Sequence, residues 1–156
     1  MELNDRMYKE PSREHLLSNF RSVTLELSIE ALIWLTQSTT DNDGRSVLHL
    51  LQFYDLLCRM RTITGSDMTF RRPLNLAPGM LQFSEETLSN DWNIGRRRVR
   101  AILATMEGLH LIACESSRVA SSIALTGLRS WTEPSGNEVP NPSYRKAQGA
   151  ESTRTE

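Results

Sequence analysis

Lysine is nearly missing from this chain: of 18 basic residues only Lys9 and Lys146 are lysine, and the other 16 are arginine. Cysteine is equally scarce. Cys58 and Cys114 stand far apart in apolar surroundings, with no C-x-x-C spacing and no neighbouring His pair, so they read as two reduced core residues rather than a disulfide framework or a metal knot. No apolar run nears the length of a membrane span, and the opening M-E-L-N-D-R lacks the basic-then-apolar order of a signal peptide, which makes a cytoplasmic protein the expectation. There is no glycine-rich phosphate loop, no G-x-S-x-G turn and no internal repeat. His15, His49 and His110 are isolated from one another and from carboxylates at ligand spacing, and Ser84 and Ser89 lack a His–Asp partner. The expectation is therefore a protein that is not an enzyme, with no metal and no cofactor.

What is present suits one domain. The chain has 156 residues, 38% of them apolar and 24% charged, enough for a single core but not for two domains. A net charge of -1 conceals an asymmetry. Between Arg96 and Arg118 five arginines face Glu107 and Glu115, a balance of +3, whereas residues 1–30 carry four basic against six acidic side chains.

Three regions are expected: a flexible N-terminus over 1–11, a folded domain over 12–132, and a disordered tail over 133–156, which is nearly devoid of apolar residues and holds three prolines. Within the domain, residues 12–38 place Leu16, Leu17, Phe20, Val23, Leu32, Ile33 and Leu35 at helical spacing, with Ser12 and Ser28 as caps. V-T-L-E-L interrupts them, so two helices, or one helix broken by a short extended piece, are predicted. Asp41–Gly44 (D-N-D-G) signals a turn. From Ser46 to about Arg61 apolar residues occupy over half of the circumference, the mark of a buried helix. Thr62–Pro78 contains Gly65 and Pro73 and reads as a long connection ending in the turn Pro78–Gly79.

Beyond that turn the local signals sharpen. Met80–Phe83 alternates like a strand, and Ser84 caps a helix whose first turn carries Glu85 and Glu86, the sign the helix dipole prefers. It stops near Asn93 with Leu88 and Trp92 inward, Trp92 as a core plug. A second helix starts near Gly95 and keeps Val99, Ile102, Leu103 and Met106 on one side, ending at Gly108 or soon after. L-I-A-C-E, the turn S-S-R and V-A-S-S-I-A-L-T then make a β-hairpin, with Val119, Ser121, Ile123 and Leu125 on one face.

That second helix opens on Arg96, Arg97, Arg98 and Arg100, where each cation opposes the dipole by roughly 0.3–1 kcal/mol. Stability does not choose such a start. The order strand, capped helix, turn, helix, hairpin, preceded by a buried helix, is that of the winged helix-turn-helix, whose second helix enters the major groove of DNA with its N-terminal residues nearest the bases and phosphates. The fold class expected is thus mainly α with a small antiparallel β-hairpin or sheet (α+β), a winged helix with additional N-terminal helices. At about 100° per residue, Arg97 and Ala101 point away from Val99, with Arg98 and Arg100 on the flanks. Arg97 is expected on a guanine edge and Arg96, Arg98 and Arg100 on phosphates, with Ala101 and Ala104 allowing close approach and Asn93 at the margin. Arg118 at the hairpin tip is expected to touch the minor groove or the backbone, and Arg71 and Arg72 before the strand are further phosphate candidates.

The run from Leu74 to Ile112 resembles the winged-helix domain at the N-terminus of phage and plasmid replication-initiation proteins and of related mobile-element regulators. The resemblance lies in Pro78–Gly79, Ser84, Leu88–Ser89, Trp92, Val99–Arg100 and Met106–Glu107 through Leu109 to Ile112, within residues 46–132. It implies double-stranded DNA binding by a nucleoid-associated regulator or replication accessory protein. The alternative is a protein-interaction module whose arginines meet an acidic partner, since such folds host both uses. The helices before Asp41 either pack within the chain or build a homodimer, which a reader of paired half-sites favours.

Overall fold

The structure, a computed structural model, describes residues 20–146. Along them run β1 (Ser22–Leu25), α1 (Ile29–Leu35), β2 (Ser38–Thr40), β3 (Ser46–Leu48), α2 (His49–Arg59), β4 (Met80–Phe83), α3 (Glu85–Trp92), α4 (Arg96–Gly108), β5 (Ala113–Ser116), β6 (Ser121–Ala124), β7 (Leu128–Thr132) and β8 (Glu138–Pro140). The strands pair antiparallel in three small sheets, ordered β1-β7-β8, β2-β3 and β4-β6-β5.

This corrects the expected fold class. Helix covers 31% and strand 25% of the described residues, so the protein is α+β but not mainly helical, and its elements do not make a clear winged helix. Two sheets, β1-β7-β8 and β2-β3, have no place in the expected fold. The β5–β6 connection is a tight turn closed by the Ser117 N–H donating to the Ala120 carbonyl at 2.9 Å, so no long wing projects. The overlooked strands β2, β3, β7 and β8 are only three to five residues long. For β1 and β7 the hydrogen-bond partners are also remote in sequence, as Val23 is from Trp131. A local period of two is too brief there to register.

Residues 12–19 of the expected first helix lie outside the described residues. V-T-L-E-L is the extended piece, since it carries β1. In α1, capped by the Ser28 hydroxyl accepting the Ala31 N–H at 3.0 Å, the buried residues are Ala31 and Leu35. Leu32 and Ile33, read as core positions, are about half exposed at 47% and 53%. Ser46–Leu48, read as helix, forms β3 instead, and the D-N-D-G turn joins it to β2 with Gly44 at φ 83°. Burial opposes the charge on Asp41. The backbone N–H groups of Arg45 and Asp43, the Asn93 side chain and the Arg45 charge outweigh it and hold that carboxyl below its ordinary value.

The core unites α2, α3, α4 and the central strands. Phe53, Leu56, Leu81, Leu88, Trp92, Val99, Met106, Leu111, Ile123 and Trp131 are all within 1% of full burial. Each contributes on the order of 1.5–3 kcal/mol. Asp55 on α2 accepts from the Trp92 indole at 2.8 Å and from Arg59 at 2.9 Å, and Arg59 also reaches Asp91 at 2.6 Å. Burial raises the Asp55 pKa despite Arg59 and Trp92, and the network pins α3 against α2.

β6 is not the alternating strand expected. Val119 lies outside it and is 50% exposed, while Ser122, Ile123 and Ala124 are all buried. The second face is covered because the 62–78 connection folds back over it. Gln82, cross-strand from Ser122, accepts the Leu74 N–H at 2.9 Å and donates to the Arg72 carbonyl at 3.0 Å.

The segment read as a tail is structured up to Lys146, and residues 147–156 lie outside the described residues. β8 pairs with β7, and Asn141, 5% exposed, donates to the carbonyls of Leu125 at 2.9 Å and Leu128 at 2.7 Å. Tyr144 donates its hydroxyl to Glu26, with the Arg129 guanidinium 5.5 Å from its ring centroid. Polar residues close this end by hydrogen bonds rather than apolar area, which is why composition concealed it.

Candidate nucleic-acid interface

The Ser84 hydroxyl accepts the Thr87 N–H at 3.0 Å and starts α3. Asn93 in the left-handed region, φ 55°, ends it. Asparagine tolerates that conformation better than most residues. The chain then turns through Ile94, fully buried, and Gly95 into α4. The Ser89 hydroxyl donates to the Ile94 carbonyl at 2.6 Å and holds the turn. α4 starts with no side-chain cap and no acidic residue in its first turn, so free N–H groups and three successive arginines, fanned around the helix, share its N-terminal end.

Val99, Ile102, Leu103 and Met106 anchor the inward side of α4, which leaves Arg96, Arg97, Arg98, Arg100, Ala101 and Ala104 exposed. Among the described residues, Arg97 and Arg98 have no carboxylate within 4.0 Å. Arg96 and Arg100 are placed differently. The Nε of Arg100 donates to Glu85 at 2.9 Å, and the Nε of Arg96 lies 3.9 Å from the other oxygen of the same carboxylate.

Next to this edge runs a groove of about 440 Å³ that brings together Arg71, Arg72, Arg96 and Arg118 with Glu85 and Phe70. Arg71 and Arg72 arrive because Gln82 fastens the chain at Arg72 and Leu74 to the sheet. Arg118 is displayed by the β5–β6 turn, in which the Ser117 hydroxyl accepts the N–H groups of Val119 and Ala120 at 3.2 and 3.1 Å. Residues distant in sequence thus form one cationic concavity with hydroxyl groups in its wall, a lining suited to phosphate oxygens.

Asn93 is engaged elsewhere. Its amide donates to Asp43 at 2.7 Å, and its carbonyl accepts the Asn42 N–H at 2.8 Å, so it fastens the β2–β3 turn to the α3–α4 turn. Glu85 and Phe70 are site residues that sequence reasoning passed over, because Glu85 already had a local explanation at a helix start. Only the turn between α3 and α4 carries it to Arg96 and Arg100.

Other reactive groups are quiet. Burial pushes the thiols of Cys58 and Cys114 up to about 12, with Asp55 and Glu107 adding to the shift, so neither is a ready nucleophile. His49 is stacked on Trp34 at 3.9 Å, with its ring nitrogens 2.9 Å from the Trp34 carbonyl and 2.8 Å from the Thr39 hydroxyl. Among the described residues no group of three His, Cys, Asp or Glu side chains is placed to hold a metal ion, and no helix is long and apolar enough to cross a membrane. Compared with family models, curated proteins and solved structures, the chain matches none.

Proposed function

We propose that the protein binds double-stranded DNA, laying the outer side of α4 in the major groove and the neighbouring concavity along the backbone. The observation that carries this reading is the pair of exposed cations Arg97 and Arg98, without a carboxylate partner among the described residues, next in the chain to Arg96, which lines one groove with Arg71, Arg72 and Arg118. A helix start that opposes its own dipole is stabilised once phosphates arrive. Arg97, with Ala101 one turn on, reads base edges, and the other arginines neutralise phosphates. The setting that goes with this reading is regulation or replication of a bacterial mobile element, as the resemblance implies.

Binding to a random duplex tests it. Affinity is expected to fall steeply with salt, and Arg98→Ala to lower the slope of log K against log salt by about one unit. Arg97→Ala is expected to cost about 1–3 kcal/mol on a selected site and to relax base preference there. One observation favours a second reading, an acidic protein partner: Glu85 already lies as a carboxylate on Arg96 and Arg100. No association with any duplex at low salt, together with retention of the protein by an acidic peptide, would decide for that partner.

A further inference from the structure

We propose that Glu85 holds, in the free protein, the place of a backbone phosphate, and that an incoming phosphodiester displaces it from Arg96 and Arg100. Glu85 thereby restrains affinity for DNA of any sequence. The inference rests on the duplex-binding reading and concerns one residue of that site.

Among the residues lining the groove Glu85 is the single carboxylate, facing four guanidinium groups. Its two oxygens are divided between two arginines, the pattern in which a phosphate bridges neighbouring donors. Both contacts use Nε, which leaves the terminal nitrogens of Arg96 and Arg100 available to a phosphate before the carboxylate lets go. Arg96 and Arg100 are 59% and 60% exposed, and ion pairs at such exposure are weak and easily exchanged. Glu85 also does not need them. It stands in the first turn of α3, behind the Ser84 cap, where the helix N-terminus stabilises its charge when the arginines turn away. A carboxylate kept there repels every phosphate equally, so it weakens backbone binding and leaves base reading by Arg97 untouched.

The experiment compares wild type and Glu85→Gln, with folding checked by circular dichroism. Gln preserves shape and removes the charge. On a random duplex at low salt Glu85→Gln is expected to bind roughly two- to fivefold tighter, the range an exposed ion pair allows. Its salt slope is expected to be steeper by about one unit. Equal affinity and equal slope for the two proteins, where wild type binds DNA, would overturn the inference while leaving the duplex reading standing. If neither protein binds duplex, that reading falls and the restraint on DNA affinity with it, and titration with inorganic pyrophosphate then decides only whether Glu85 competes with a phosphate for Arg96 and Arg100. Movement of the Arg96 and Arg100 Nε–H resonances at lower pyrophosphate concentration in Glu85→Gln than in wild type supports it. Unmoved resonances, or equal titration midpoints, overturn it.

Discussion

Gly44 and Gly79 are alike in sequence terms, each closing a turn, and both have positive φ, 83° and 87°. Their surroundings differ. A Cβ on Gly44 would meet nothing within 4 Å, whereas one on Gly79 would lie 1.9 Å from the Asn141 Oδ1. That oxygen cannot swing away, because it accepts the Ser143 N–H at 3.0 Å while the same amide holds two buried carbonyls. Gly44→Ala is therefore expected to cost about 1 kcal/mol, the left-handed penalty alone. Gly79→Ala adds an unrelievable overlap and is expected to cost about 3–4 kcal/mol. Urea unfolding of both variants measures the difference, and equal losses would mean that Asn141 does not seat against Gly79. The P-G turn itself was legible in the sequence. Its lock was not, because Asn141 sits in a stretch whose composition reads as tail.

At the scale of elements, α3 and α4 lie where capping and spacing place them. Ser84, the inward positions Leu88 and Trp92, and the row Val99, Ile102, Leu103 and Met106 are signals within one or two helical turns. Under the proposed duplex binding, stability and use diverge at α4. Its N-cap Gly95, with φ -70° and open space where a Cβ would stand, accepts a side chain without strain. Gly95→Asp supplies the missing cap and a favourable charge, and is expected to stabilise the protein by about 0.5–1 kcal/mol. The same carboxylate stands beside Arg96–Arg98 and should weaken binding to random duplex severalfold at low salt, with the loss shrinking as salt rises. Thermal unfolding and a binding titration on one variant check both signs; a variant gaining both stability and affinity would refute the interface placed here. The short strands β2 and β3 were not legible, since three residues each are too few to show a period, Ser46–Leu48 runs straight into the apolar pattern of α2, and only their pairing makes them strands.

For the whole molecule, the boundary expected at Thr132 divides what the structure joins. β8, Asn141 and Tyr144 lie beyond it and tie to β7, to the Leu125 and Leu128 carbonyls and to Glu26. Truncation after Thr132 is expected to remove several kcal/mol, about 1–3 for each buried carbonyl left without its donor. A markedly lower urea midpoint is the measurement, and an unchanged midpoint would show residues 133–146 to be dispensable. The sequence by itself determined the stretch from Ser84 to Gly108: its cap, its inward residues and its exposed arginines follow from contacts within a few positions, where side-chain type and helical period act directly. Only the tertiary structure decided that Val23 pairs with Trp131, that Arg71 and Arg72 meet Arg118, and that Glu85 lies on Arg96 and Arg100. Those are encounters between groups far apart along the chain. Unpaired strand edges and exposed charges carry no local mark of their eventual neighbours, so their partners are set by how the hydrophobic core brings the segments together.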